Sequence, residues 1–413
     1  MKVLLNAWRL EDVRKKMLYC LLILFIYRLG SHVPLPGMDL QRMDQLTGGF
    51  GGLFGLMVGG GAGSLMAMGI GPFITASIIM QLLTVAIPKL EQIQKEGEEG
   101  RKRINQYTRV LSVVLSFVQG TAMVITYRPF FVYSHVLVYF MAVMAMVCGT
   151  MLTMWLGELL TEKAIGNGTS FIIFANILAN LPGGVLTLYL SALGGMMNVL
   201  RMVILLLLFV VIVAFVVLVQ EAERRIPVQY SKKMVGRQMY GGQSSYIPIK
   251  VNIAGVMSII FAISLLQFPS IVAQFYTPGW MAELVRYLDI THPVGAVIYI
   301  VLIFFFTFFY TSFAINPVEM AENMKKNGGF IPGIRPGKPT SDFIQRSVTR
   351  LSWVGATFYS LIAILPVLFQ WIFGVNVGFG GTTLLIVTGV ALELVKQLES
   401  QLLMRHYKGF LTA

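Results

Sequence analysis

Residues 48–87 read GGFGGLFGLMVGGGAGSLMAMGIGPFITASIIMQLLTVAI, two kinds of apolar chain in direct succession. The first is dense in glycine: 11 of the 24 residues from Gly48 to Gly71, mixed with Phe50, Leu53, Phe54, Leu56 and Met57. Each glycine costs a helix about 1 kcal/mol against alanine, so this stretch is not a robust spanning helix. It is also too apolar for a free loop in water. Irregular apolar backbone at membrane depth is tolerated where it is packed inside protein or lines a cavity. Two readings stay open: a small-residue face for close helix packing, or a weakly packed, movable segment seated in a cavity. At Pro72 the pattern changes, because a proline in the first turn starts a helix without losing a hydrogen bond.

Composition extends the membrane reading to the whole chain. Of 413 residues, 56% are hydrophobic and 12% charged, against about 25% charged in soluble domains. The mean hydropathy is +0.73. Soluble-enzyme, collagen-like, disordered and disulfide-scaffold classes are excluded: there is no G-X-Y period, and Cys20 and Cys148 lie inside apolar runs as small buried thiols. A spanning helix needs about 20 mostly apolar residues, and ten such runs are present: 17–35, 65–87, 108–127, 135–157, 169–191, 199–220, 251–273, 293–315, 348–373 and 376–398. The first follows Lys15 and Lys16 without a small-residue cleavage site and reads as a retained anchor.

An even number of runs puts both termini on one side. Of the 32 Lys and Arg residues, 27 fall in the tails and in the segments on that side, which the charge bias of membrane proteins assigns to the cytoplasm. Two of those segments, 221–250 and 316–350, are far longer than the roughly 2–8 residues usual between bundle helices. They interleave basic and aromatic residues, as in RRIPVQYSKKMVGRQMYGG (224–242) and NGGFIPGIRPGKP (327–339). With a net charge of +13, they read either as topology signals alone or as a docking surface for a large anionic partner. The length and the aromatics favour docking.

The runs hold almost no chemistry. Ionisable side chains inside a membrane mark ion or proton paths, but Arg28, Glu158, Glu393 and Lys396 fall near run ends, where long side chains reach the interface. His135 and His292 also sit at run ends. There is no midplane carboxylate for an ion-coupled transporter, no metal-ligand cluster, and no phosphate loop or Ser/His/Asp spacing. No catalytic residue, metal or cofactor is expected. Five runs per half is odd, so a five-helix repeat would be inverted in the second half.

Eight blocks, in order and over essentially the whole length, resemble the SecY family. They are RLGSHVPLPG (28–37), GPFITASIIMQLLT (71–84), KEGEEGRKRINQYTR (95–109) and LGELLTEKAIGNGTSFIIFANI (156–177) in the first half. The second half supplies RRIPVQYSKK (224–233), IPIKVNIAGVMSIIFA (247–262), NPVEMAENMKKNGGFIPGIRPGKPT (316–340) and FGGTTLLIVTGVALE (379–393). The resemblance implies an all-α membrane protein: ten transmembrane helices in two inverted five-helix halves, 1–191 and 192–413, forming a clam-shell around a pore. It implies a pore ring of Ile74, Ile78, Ile173, Ile260 and Ile386. An apolar ring can close around a moving chain and block ions by dewetting; by itself, each isoleucine reads as a packing residue. Two departures stand out: Ser264 lies four residues after Ile260, and MSII (257–260) replaces a more usual proline-containing sequence.

By the same resemblance, 48–64 is a plug carrying Phe50, Leu53, Phe54, Leu56 and Met57. Ile79, Leu82, Ile263 and Phe268 belong to a lateral gate between the helices at 72–87 and 251–268. Arg225, Lys232, Lys233, Arg237, Arg335 and Lys338 would dock the ribosome or the SecA motor ATPase. Other implied partners are SecE-like and SecG-like small membrane subunits, signal-bearing polypeptides and membrane lipid; no cofactor is implied. The expected function is a protein-conducting channel subunit in the bacterial cytoplasmic membrane, driven by a partner and not itself an enzyme. A secondary transporter would need a midplane carboxylate or a small-molecule pocket. An insertase without a continuous pore would put a polar group in a half-open groove.

Overall fold

A computed structural model describes residues 10–39, 63–163, 166–179, 196–230, 233–235, 238–240, 244–275, 278–373 and 381–411 of the chain. In the N-terminal part the elements are α1 (Glu11–Gly30), α2 (Gly71–Ala86), α3 (Pro88–Lys95), α4 (Glu98–Thr126), α5 (Val136–Lys163) and α6 (Gly168–Ala179). There follow α7 (Met196–Glu221), β1 (Glu223–Tyr230), β2 (Lys233–Val235), β3 (Gln238–Tyr240), β4 (Ser244–Lys250), α8 (Met257–Ala273) and α9 (Gly279–Leu288). The rest is α10 (Pro293–Ala314), α11 (Pro317–Lys326), β5 (Gly329–Phe330), α12 (Lys338–Phe373) and α13 (Gly381–Leu411). Each of the ten apolar runs overlaps one of these helices; α3, α9 and α11 lie between runs. By length and composition, Glu98–Thr126, Val136–Lys163, Pro293–Lys326 and Lys338–Leu368 can each cross a membrane, and α2 with α3 forms a fifth, bent pair. The chain divides into two compact units: Met1–Ser191 with Gln267–Arg286 and Ile386–Ala413, and Ala192–Leu266 with Tyr287–Leu385.

In the first unit, helices pack through small residues. The face of α4 turned inward carries Thr108, Ser112, Ser116 and Gly120, four residues apart and all buried. The opposite face exposes Val110, Val114, Phe117 and Ile125. Lipid is as apolar as leucine, so burying leucine gains little, and small residues that let backbones approach are favoured instead. Two of the three hydroxyls are satisfied within the helix: Thr108 and Ser116 donate to the carbonyls of Ile104 and Val113 at 2.9 and 2.8 Å. Between α1 and α6, Tyr27 donates to Asn176 Oδ1 at 3.0 Å and accepts from Nδ2 at 2.7 Å. Arg109 of α4 meets Glu158 of α5 at 2.8 Å; this half-exposed pair is worth at most about 1 kcal/mol.

The apolar run starts at residue 65, but the helix begins at Gly71 with Pro72 in its first turn, and 63–70 is a series of buried turns. Its backbone is anchored rather than free. Leu35 N–H donates to Gly63 O at 2.9 Å and Leu65 N–H to Val33 O at 2.8 Å. Met66, Ala67, Met68 and Ile70 are all under 7% exposed, so irregular backbone lies inside protein, as hydrocarbon demands. Gly149 of α5 makes that possible, since a Cβ there would collide with Leu65 O. At the far end of α2 the chain turns by 102° into α3. Pro88 forces Ile87 out of the helical region, to φ −111° and ψ 112°. Both cysteines are free, but Cys148 is exposed on α5 and Cys20 half-buried; the sequence placed both inside because it cannot tell a lipid-facing position from a core one.

The second unit corrects the reading of the long loops. The described residues of 221–250 and 316–350 are folded largely into strands and helices, with the three-stranded antiparallel order β4-β1-β5. Asn316 caps α11, its Oδ1 accepting from Glu319 N–H at 3.4 Å. Helix α12 has 36 residues, about 54 Å at 1.5 Å per residue, so it outruns a hydrocarbon layer of about 30 Å. Its first turns stand with the sheet. Deeper in the unit, Phe261 of α8 meets Phe306 of α10 edge-on at 5.5 Å, and Trp353 of α12 packs between Phe304 and Phe308. The sequence MSII lacks proline, but Pro269 stands inside α8 instead.

Replacing Gly149 with valine should lower the thermal transition of the purified protein, because overpacking costs about 1–3 kcal/mol where Leu65 O leaves no room. Gly279→Ala, where nothing lies within 4 Å, should leave it unmoved. Differential scanning fluorimetry in detergent compares the two.

Candidate functional site

The basic platform of the second unit is built from two segments about a hundred residues apart in sequence. In β1 the alternation is plain: Ile226 and Val228 are buried while Arg225, Pro227 and Gln229 are exposed. Strand β4 repeats the pattern with Ile247 and Ile249, paired so that Arg225 opposes Pro248 and Pro227 opposes Tyr246. Proline cannot donate to a ladder and is tolerated at sheet edges. That condition is met, since β4 is an edge strand and β5 covers only Gln229 and Tyr230 of β1. Under the sheet lies an aliphatic core of Ile226, Val228, Ile249, Met324, Ile331, Ile344 and Val348. It joins the strands to α11, α12 and the 331–337 turn, so both basic segments share one rigid body.

Above that core the charged side chains are displayed. Arg225 lies diagonally across from Tyr246, its Cζ 4.9 Å from the ring centroid, and its Nε meets Glu223 Oε1 at 2.7 Å. The Glu223 carboxylate and the Tyr246 ring hold the guanidinium's pKa above its ordinary value, so it stays charged. Arg335 is exposed at the tip of the turn, and its carbonyl accepts from Thr340 Oγ1 at 2.9 Å. Lys338 is exposed at the first position of α12. Lys233 lies on the backbone of β2, whereas Lys232 and Arg237 lie outside the described residues. Glu223, Tyr246 and Thr340 were not singled out from sequence. The period-2 alternation in ERRIPVQY and SSYIPIK is the signal that would have found the strands and, with them, the Arg225–Tyr246 diagonal.

The apolar candidates divide between the units. In the first, Ile78, Ile173 and Ile386 are buried on α2, α6 and α13; Ile74, Ile79 and Leu82 are half-buried on α2, and Phe268 is exposed on α8. In the second, Ile260 and Ile263 are buried on α8. Phe50, Leu53, Phe54, Leu56 and Met57 lie outside the described residues. Of the described residues on either side, Asp39 N–H donates to Phe130 O and Gly63 O accepts from Leu35 N–H. His135 and His292 prove to be turn-formers, their Nδ1 atoms accepting from Leu137 and Val294 N–H at 3.2 and 3.3 Å. Among the described residues, no group of three His, Cys, Asp or Glu side chains could hold a metal ion.

Comparison with known proteins agrees with this architecture. The family model described as SecY matches residues 64–395. The protein translocase subunit SecY of Streptomyces galbus is 45% identical, with 98% of each chain covered. Its counterpart in Aquifex aeolicus is 42% identical (98% of this chain, 97% of that one), and that of Thermus thermophilus 41% (100% and 98%). A solved protein-conducting channel superposes with a TM-score of 0.62 at 20% identity, over 92% of this chain and 91% of that one. Sec61 from a canine ribosome-channel complex gives 0.60 at 18% identity over the same shares. Those two structures speak for the fold alone.

The platform separates packing from display. Ile344→Ala removes a side chain with no exposed surface and should cost about 2–5 kcal/mol, seen as faster proteolysis within 221–250. Arg225→Ala should leave the proteolysis rate of the folded platform unchanged.

Proposed function

The chain belongs to the SecY family, and we infer from that premise that it is the polypeptide-conducting subunit of a protein translocase, a channel and not an enzyme. The observation that carries the reading is the platform: two distant basic segments folded on one aliphatic core, with Arg225 and Arg335 displayed outward. A channel that is not itself an enzyme needs an external source of work, and this is a surface on which one can be seated. Its partner is a ribosome or a motor ATPase of the SecA kind. Arginine and lysine pair with ribosomal RNA phosphates or with motor carboxylates. Docking to RNA would weaken steeply with salt.

The rest of the reading follows the same premise. Ten helices in two inverted halves, 1–191 and 192–413, form a clam-shell in the bacterial cytoplasmic membrane with both termini cytoplasmic, assisted by SecE-like and SecG-like subunits. Ile74, Ile78, Ile173, Ile260 and Ile386 form the constriction, and 48–64 is the plug. Supporting this, Ile78, Ile173, Ile260 and Ile386 are all under 8% exposed and aliphatic, which suits gating by dewetting. A signal sequence wedges between α2 and α8 along Ile79, Leu82, Ile263 and Phe268. The plug is then displaced and the chain passes.

In proteoliposomes, Ile386→Asn should raise the resting ion leak and admit poorer signal sequences. Arg335→Glu should weaken partner binding about tenfold, a charge reversal at a displayed docking residue, with the protein still folded. A stalled secretory chain carrying one photoreactive residue should crosslink to cysteines at positions 78, 173, 260 and 386 only when its signal sequence is functional. Crosslinks confined to one lipid-facing side would instead favour an insertase.

A further inference from the structure

Helix α9 reads GWMAELVRYL and has three faces. Met281 is buried, and Val285 and Leu288 are half-buried, one below the other along the stripe that packs against protein. One residue back, Trp280, Leu284 and Tyr287 repeat the same spacing, but they are 61%, 39% and 50% exposed. Glu283 and Arg286 are exposed on the remaining side. In water, a ten-residue helix with this much uncovered tryptophan, leucine and tyrosine along one line would lose its apolar gain. Soluble surfaces do not usually concentrate large apolar groups in this way.

Chain order says what covers the line. α9 joins the end of α8 to the start of α10, the ends remote from the sheet, which precedes α8 and follows α10. Both neighbours carry exposed apolar side chains up to those ends: Phe268, Val272 and Phe275 on one side, Val294, Val297 and Val301 on the other. Four residues separate Leu288 from Pro293, so α9 stops at most about 18 Å from the first turn of α10. The connection is also tucked in: a Cβ on Gly295 would collide with Asp289 O, and the Tyr287 ring meets that of His292 edge-on at 5.0 Å. Along the chain, the exposed apolar end of α8 thus leads straight into Trp280 and Leu284, and Tyr287 leads into the exposed apolar start of α10.

We infer that α9 lies in the plane of the membrane interface, on the face opposite the basic platform, with Trp280, Leu284 and Tyr287 in the headgroup and glycerol layer of the lipid. Each residue type suits that place. Tryptophan and tyrosine rings favour the boundary, with an apolar body toward the chains and a polar tip toward water. Arg286 reaches outward along its own stem, and Glu283 faces the solvent. Held there, α9 fixes the depth of the outer ends of α8 and α10 and leaves little free loop between them.

The test uses the full-length protein in phosphatidylethanolamine–phosphatidylglycerol nanodiscs, with Trp8, Trp155, Trp353 and Trp371 replaced by phenylalanine. Trp280 fluorescence should be quenched about twofold more by lipids brominated near the headgroup than by lipids brominated at the chain end, as for a ring about 5–10 Å into the boundary. Quenching by aqueous iodide without quenching by brominated lipid would put the helix in water. Protection from both would mean that a protein surface covers it, whether a second copy or another subunit. Either result overturns the inference. An independent measurement keeps all the tryptophans: a spin label on Leu284→Cys, with Cys20 and Cys148 changed to serine. It should be more accessible to oxygen than to a water-soluble nickel chelate, and the reverse order again overturns the inference.

Discussion

Hydrocarbon offers backbone groups no hydrogen-bond partner and gives apolar helices no reason to associate. The fold of the first unit follows from that constraint. Its helices meet where a side chain is missing or small: along Thr108, Ser112, Ser116 and Gly120 of α4, and where Gly149 admits the backbone of Leu65. Gly168 of α6 similarly leans on the carbonyl of Gly157 in α5, where any Cβ would collide. The large residues that would form a core in water instead line the outside, as Val110, Phe117, Leu137 and Phe140 do. The turns at 63–70 survive at this depth because Leu35, Val33 and the walls of α5 satisfy and surround them.

The platform obeys the opposite rule within the same chain. Its core is aliphatic and large, Ile226, Ile249, Ile331 and Ile344, and each such burial from water stabilises by about 1.5–3 kcal/mol. A hydrophobic core of this kind can gather distant segments, which small-residue packing in lipid does less readily. It also holds the displayed arginines at fixed positions while their charges stay in water. Helix α12 links the two regimes. It begins among the isoleucines of the platform and by its middle meets the aromatic rings of α10, with Trp353 between Phe304 and Phe308.

The isoleucines proposed for the ring show that burial does not separate a gate from a core. Ile78, Ile173, Ile260 and Ile386 are buried, and so are Ile172 and Ile259, neighbours with no proposed part in conduction. A residue that closes a pore and one that fills a core make the same kind of contact in a closed state. What differs is whether the contact must break, and only a moving polypeptide reveals that.

The sequence by itself determined the solvent, the number of apolar runs and the start of α2 at its proline. Each of these depends on composition or on local steric rules over a few residues. Through glycine it also marked 63–70 as no part of a robust spanning helix. It could not show that Arg225 sits over Tyr246, that Gln229 pairs with Phe330, or that Cys148 faces outward rather than inward. Lipid and protein interior are equally apolar, so hydropathy cannot distinguish the two faces of a spanning helix. Strand partners about a hundred residues apart are chosen by register and shared burial. Only the tertiary structure brings those residues together.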